Sequence, residues 1–156
     1  MIKKTIRTVQ EVATGLTQRQ QAAAIIHTAT IAAAGVGASP VPFADEVVIV
    51  PAQVGMITAL YKLYGKEINA GFARGMSSAT MATTFAHLTL GNFMKILPGV
   101  GTITGGIINA SFAATVTETM GWKLVERLEK GAEVQQEDLN QAVKKALRLF
   151  GKAKNK

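Results

Sequence analysis

Ala34-Gly35-Val36-Gly37-Ala38-Ser39-Pro40-Val41-Pro42-Phe43-Ala44-Asp45-Glu46 is the stretch that decides the fold. Pro40 and Pro42 have no N–H to give to a helix arriving from the left, and each pushes the residue before it out of the helical region. Asp45 and Glu46 then fall in the first turn of the next helix, where negative charge meets the positive end of the helix dipole. The stretch therefore predicts the tip of a helical hairpin.

To its left, no Asp, Glu, Lys or Arg occurs from Gln20 to Ala44. The Thr17-Gln18-Arg19-Gln20 spacing lets side chain and backbone cap each other, so a helix is expected from there to about Gly35 or Gly37. To its right, Val47-Val48-Ile49-Val50 taken alone has the β-branching of a strand. Pro51 and the periodicity of Val54, Ile57, Leu60, Tyr61 and Tyr64 instead predict one helix, kinked near Pro51 and closed by Gly65 as its C-cap.

The pattern recurs further on. Gly75 to Met94 is again uncharged, Lys95-Ile96-Leu97-Pro98-Gly99-Val100-Gly101 makes a second reversal, and Ile96 to Thr117 is a third uncharged stretch. The expected fold is all-α: two successive antiparallel helical hairpins with tips at Pro40, Pro42 and Asp45 and at Pro98 and Gly99. Amphipathic helices flank them. Ile2, Ile6, Val9, Ala13 and Leu16 repeat at helical spacing in the first. Trp122 to Lys130 is amphipathic and ends at Gly131. Glu137 and Asp138 open a last helix whose stripe of Leu139, Val143, Ala146, Leu147 and Phe150 lies opposite Lys144, Lys145 and Arg148. One helical domain over 1–150 and a basic flexible tail over 151–156 are expected; a single core in a chain of this size covers roughly 70% of the surface its unfolded form exposes.

The net charge of +7 sits at the two ends. Lys3, Lys4, Arg7 and Arg19 against Glu11 give the first 21 residues +3, and Lys144, Lys145, Arg148, Lys152, Lys154 and Lys156 give the last thirteen +6. Such ends suit anionic lipid or an acidic protein, with Lys3, Lys4, Arg7, Lys144, Lys145 and Arg148 as the contact residues. Nucleic acid is not expected, because only Phe150 stands among the basic residues to stack on a base. The absence of cysteine excludes disulfides, thiolate zinc sites and cysteine nucleophiles. No continuous apolar run follows Met1-Ile2-Lys3-Lys4-Thr5-Ile6-Arg7, so a cleaved secretory signal is not expected. The expected location is the cytoplasm or the cytoplasmic face of the cell membrane.

Small residues recur four apart on nearly every long segment, which lets helix backbones approach closely. Gly37, Gly55, Gly71, Gly75, Gly101, Gly105 and Ala113 are the candidate packing or oligomer-interface positions. Ile96 to Thr117 meets the length of about 20 residues that a membrane span needs. Pro98, its glycines, Asn109 and its threonines bring insertion near balance. The basic ends and the 62–74 connection, set against acidic Asp45 and Glu46, tilt toward membrane association.

A search for chemistry returns near misses. Gly101-Thr102-Ile103-Thr104-Gly105-Gly106-Ile107 has the glycine spacing of a phosphate loop, but Ile107 stands where the lysine is needed. Asp45 and Glu46 are adjacent and diverge on a helix. His27 and His87 lack a second ligand or carboxylate at helical spacing, and Ser39, Ser77, Ser78 and Ser111 show neither a base nor an oxyanion site. No enzymatic activity, cofactor or metal is expected.

Gly35 to Asp45, followed by Val50-Pro51-Ala52-Gln53-Val54-Gly55-Met56-Ile57 and Leu63-Tyr64-Gly65, resembles the uncharacterised helical domain found fused to or near small bacterial GTPases, as in YcjF-type proteins. Leu97-Pro98-Gly99-Val100-Gly101, Gly106-Ile107-Ile108-Asn109-Ala110 and Gly121-Trp122 are similar to its second half, and a looser similarity to EcsC-like proteins runs through the same places. The likeness spans about residues 20–130. It implies an all-helical, membrane-linked module; no GTPase domain is read in these residues, so any GTPase is expected to be a separate partner. Residues and resemblance together lead to the expectation of a non-catalytic, membrane-associated hairpin module that forms homo-oligomers or scaffolds a partner. The alternatives are a soluble adaptor or regulator of a GTPase and, more weakly, a small pore-forming or membrane-remodelling protein.

Overall fold

A capping box starts the first helix: the Thr17 N–H donates to Gln20 Oε1 at 2.9 Å and the Gln20 N–H to Thr17 Oγ1 at 3.2 Å. The computed structural model describes residues 16–37, 44–90 and 103–154 and, within them, the side chains of 16–35, 49–80, 82, 110–149 and 152. Among the described residues every regular element is a helix: α1 Gln18–Gly37, α2 Ala44–Leu63, α3 Ala70–Leu90, α4 Ile103–Glu129 and α5 Gln136–Lys154.

The breaks between helices have local causes. Gly65 (φ 69°) ends α2, with the Gly65 N–H donating to Lys62 O and the Lys66 N–H to Tyr61 O. Gly131 (φ 67°) ends α4 through the same pair of bonds, to Leu128 O and Arg127 O. Both glycines adopt the left-handed conformation that costs other residues energy. Asn69 opens α3 by accepting the Gly71 N–H on its side chain at 2.7 Å, and Asp138 opens α5 by accepting the Gln135 N–H at 2.8 Å.

α1 runs antiparallel to α2, since Gln18 Nε2 donates to Leu63 O at 3.0 Å while Ala33 packs with Ile49 and Val50. It also runs antiparallel to α4, from the Arg19–Glu129 pair to Ala33 beside Ala113. α3 packs on α2 and α5, and α5 on α3 and α4. The main core joins Ile26, Ile57, Leu60, Met120, Leu124 and Leu139, each fully buried.

Two expectations meet differences here. The uncharged stretch from 96 and the amphipathic stretch Trp122–Lys130 belong, from Ile103 to Glu129, to one helix of 27 residues, because nothing between Thr117 and Trp122 breaks it and Gly121 is held by neighbours. The flexible tail over 151–156 does not begin at Gly151: α5 continues to Lys154. The tips Pro40, Pro42, Pro98 and Gly99, the N-terminal amphipathic stretch and Gly101 lie outside the described residues, as do the side chains through which α3 and α4 would pair as a second hairpin. Asp45 lies in the first turn of α2, as expected.

Candidate functional site

α5 carries the strongest contrast between its two faces. Leu139, Ala142, Val143, Ala146 and Leu147 are buried against α4 and the main core. Lys144, Lys145, Arg148 and Lys152 are exposed. Leu149, 49% exposed, stands among them. These cations follow from the helical period: positions three and four apart share a face, so one stripe of five apolar residues leaves the lysines and the arginine pointing away from it.

A groove of about 510 Å³ runs between α4 and α5, and Trp122, Lys123, Glu126, Lys145, Arg148 and Leu149 are among its lining residues. One of its two carboxylates, Glu126, is occupied from within. Glu126 accepts from Lys130 at 2.8 Å and from Lys123 at 3.4 Å, and these two ammonium groups hold its carboxyl below the usual carboxylate value. Glu118 faces His27 at 3.7 Å, a pair that is ionic only when the imidazole is protonated. Lys144, Lys145 and Arg148 take no ion pair among the described residues. The groove edge and the outer face of α5 therefore present free cations around one exposed leucine, the combination that suits an anionic surface with a shallow apolar layer.

At the start of the same helix the charges are committed to structure. Arg127 Nε lies 3.1 Å from Asp138 Oδ2, Arg19 holds both oxygens of Glu129 at 2.9 and 2.7 Å, and the Arg19 guanidinium sits 5.5 Å above the Trp122 ring. Tyr64 donates its hydroxyl to Glu129 at 3.2 Å.

A buried polar chain crosses the interior. Ser77 donates to Gln53 Oε1 at 2.7 Å, Gln53 Nε2 donates to Thr117 Oγ1 at 3.3 Å, and Gln136 Nε2 donates to Thr80 Oγ1 at 3.3 Å. Gln53, Ser77, Thr80 and Thr117 are all fully buried. Each finds a partner, as burial of a polar group requires, so the chain fixes the register of α2 against α3 and α4. The one available signal was Gln53 standing alone in the apolar run of α2.

Within one copy of the chain the candidate glycines fall on different faces. Gly55 and Gly75 are exposed and a Cβ on either would meet nothing within 4 Å, while one on Gly71 would meet only Asn69 Oδ1 of its own cap. Four-residue spacing marks a shared face without saying which way that face points. The close approach is made by Gly121, where a Cβ would lie 2.7 Å from Ile26 Cγ1 and 3.0 Å from Met56 Sδ. Ala113 is buried with Ala33, Ile49 and Val50, as expected of a packing residue. Gly37 and Gly105 lie in α1 and α4 with surroundings outside the described residues, as do Lys3, Lys4 and Arg7.

Among the described residues no group of three or more His, Asp or Glu is placed to hold a metal ion, and no helix is long and apolar enough to cross a membrane. The chain matches a family described as a domain of unknown function, DUF697, over residues 3–152. No curated protein and no solved structure matches it.

Proposed function

From the chain's membership of the DUF697 family, a domain of unknown function, we propose that it is a non-catalytic helical module that docks peripherally on an anionic membrane surface through α5. The observation that carries this is the exposed set Lys144, Lys145, Arg148 and Lys152 around half-exposed Leu149, with Glu126 already paired to Lys130. Each cation near an anionic leaflet contributes about 1 kcal/mol, and the leucine adds shallow burial. Lys3, Lys4 and Arg7 add to the same charge pattern in sequence.

Sedimentation of the full chain with vesicles tests the proposal. Binding is expected to phosphatidylcholine vesicles that contain phosphatidylglycerol, to fall with salt, and to be absent without the anionic lipid. Reversing Lys144, Lys145 and Arg148 to Glu removes their attraction of roughly 3 kcal/mol and adds repulsion, so partitioning falls by more than about a hundredfold. Equal binding to neutral vesicles, or none to anionic ones at low salt, rejects it. The same free cations suit an acidic protein, a separate GTPase included; failure on vesicles together with capture of a purified acidic GTPase through Lys145 and Arg148 would transfer the role to that partner.

A further inference from the structure

On the side of the bundle where α3 starts, the connections α2–α3 and α4–α5 are tied together: Lys66 Nζ donates to Gly131 O at 3.1 Å and to Ala132 O at 3.4 Å. Between them opens a trough of about 820 Å³ with Tyr61, Ile68, Phe72, Gly75, Met76 and Val134 among its lining residues and Glu67 and Glu133 at its edge. Phe72 is 55% exposed there. Neither glutamate side chain takes an ion pair or hydrogen bond among the described residues, and both are exposed.

The free face of α3 continues from this trough. Ala73, Met76, Ser77 and Thr80 are turned inward, so Gly71, Gly75, Ser78 and Ala82 form the outward ridge, with Phe72 on one flank and Arg74 on the other. Arg74 is the only charge between Ala70 and Leu90. A helix that faces water normally carries a charged outer face; among the described residues this one carries an aromatic knob, a row of small residues that makes room for a knob, and one cation, with two carboxylates beside them, none of the three in an ion pair there.

We propose that this face is the isologous interface of a homodimer, in which α3 packs across α3 of a second copy. The second copy is the occupant because every element of the contact has its complement on the same face, which is what a two-fold axis requires. Phe72 of each chain enters the trough of the other over Gly71 and Gly75, and Arg74 of each reaches the acidic edge formed by Glu67 and Glu133 of the other. An aromatic anchor and an arginine are the residue types that carry most of the binding energy at interfaces. The α5 cations take no part, so the dimer stands independently of the membrane proposal.

Sedimentation equilibrium of the full chain over a wide concentration range tests this. A monomer–dimer equilibrium is expected, weakened at least about tenfold by Phe72→Ala and likewise by Gly75→Leu. In the monomer a Cβ at Gly75 meets nothing within 4 Å, so unchanged melting in the Gly75→Leu variant separates a lost contact from a lost fold. Arg74→Glu is expected to weaken the dimer and the added pair Glu67→Arg and Glu133→Arg to restore it. A monomer at every concentration overturns the proposal, and so does a dimer indifferent to Phe72→Ala and Gly75→Leu. A monomer whose vesicle binding falls with Phe72→Ala also overturns it and gives the face to lipid. Reversal of Lys144, Lys145 and Arg148 leaves the dimer intact, so the two proposals fail separately.

Discussion

At the end of the bundle where α1 begins and α4 finishes, Ile57, Leu60, Leu124, Val125 and Leu139 are fully buried, and the helices above them are tied by Arg19–Glu129 and Arg127–Asp138. Toward the other end the helices meet through Ala33, Ile49, Val50 and Ala113, while Ile31 is 72% exposed. The first end buries large side chains and closes with charge. Among the described residues the second meets through two alanines and two β-branched side chains and leaves Ile31 outside. Buried apolar area is the main favourable term in folding, so among the described residues the first end carries the larger share of it.

Truncation in each region is the strongest way to break that comparison. Leu124→Ala removes a fully buried side chain and is expected to cost about 2–5 kcal/mol. Ile31→Ala, on a mostly exposed residue, is expected to stay within about 0.5 kcal/mol. Urea unfolding of both variants checks this, and losses of similar size would mean that the second end contributes to the core as much as the first.

Glycine substitutions sharpen it at a smaller scale. Gly121→Val must displace Ile26 and Met56, whose atoms lie 2.7–3.0 Å from the position of an added Cβ, and overpacking of this kind costs about 1–3 kcal/mol. Gly55→Ala adds a methyl where nothing lies within 4 Å and is expected to stabilise α2 by up to about 1 kcal/mol. Thermal melts with shifts of opposite sign are the expected result. A destabilised Gly55→Ala that also alters oligomer size would place a second copy against α2.

These contrasts also separate what the sequence could reveal from what it could not. The capping box at Thr17 and Gln20, the C-caps at Gly65 and Gly131, and the first turn of α5 were legible because each depends on residues within a few positions of one another. α5 was legible as a whole because its apolar and basic residues alternate at helical spacing. α3 and the first part of α4 were not, since a helix almost without charge gives no sign of which face is buried, and spacing alone left Gly71 and Gly75 open between helix packing and an oligomer interface. Gly121 was missed for the converse reason: its importance comes from Ile26 and Met56, which are distant in sequence. Gln53 is buried opposite Ser77 and Thr117, partners that spacing alone cannot pair with it. Of the candidate site, the cations were visible in advance, but the groove between α4 and α5 in which Glu126 turns to Lys123 and Lys130 and leaves Lys145 and Arg148 without it required three dimensions.

The smallest expected effect is a pH dependence confined to the charged end. Tyr64 donates to Glu129; burial, then the Glu129 charge and this hydrogen bond, raise its phenol above the ordinary 10.0, with Arg19 opposing. Tyr61 is likewise raised, first by burial and then by Glu133, against a backbone hydrogen bond from Val134. A phenol whose folded value lies above its unfolded one binds its proton more tightly in the native state, so its stabilisation is complete below pH 10 and is lost as pH rises through the folded value. Melting temperature should therefore fall above about pH 10 by more in the wild type than in Tyr64→Phe, which has no proton to lose there. Lysines titrate in the same range, but they do so equally in both chains and cancel in the difference. Identical alkaline profiles would show that Tyr64 is as solvated as in the unfolded chain, and that its contact with Glu129 does not help close this end of the bundle.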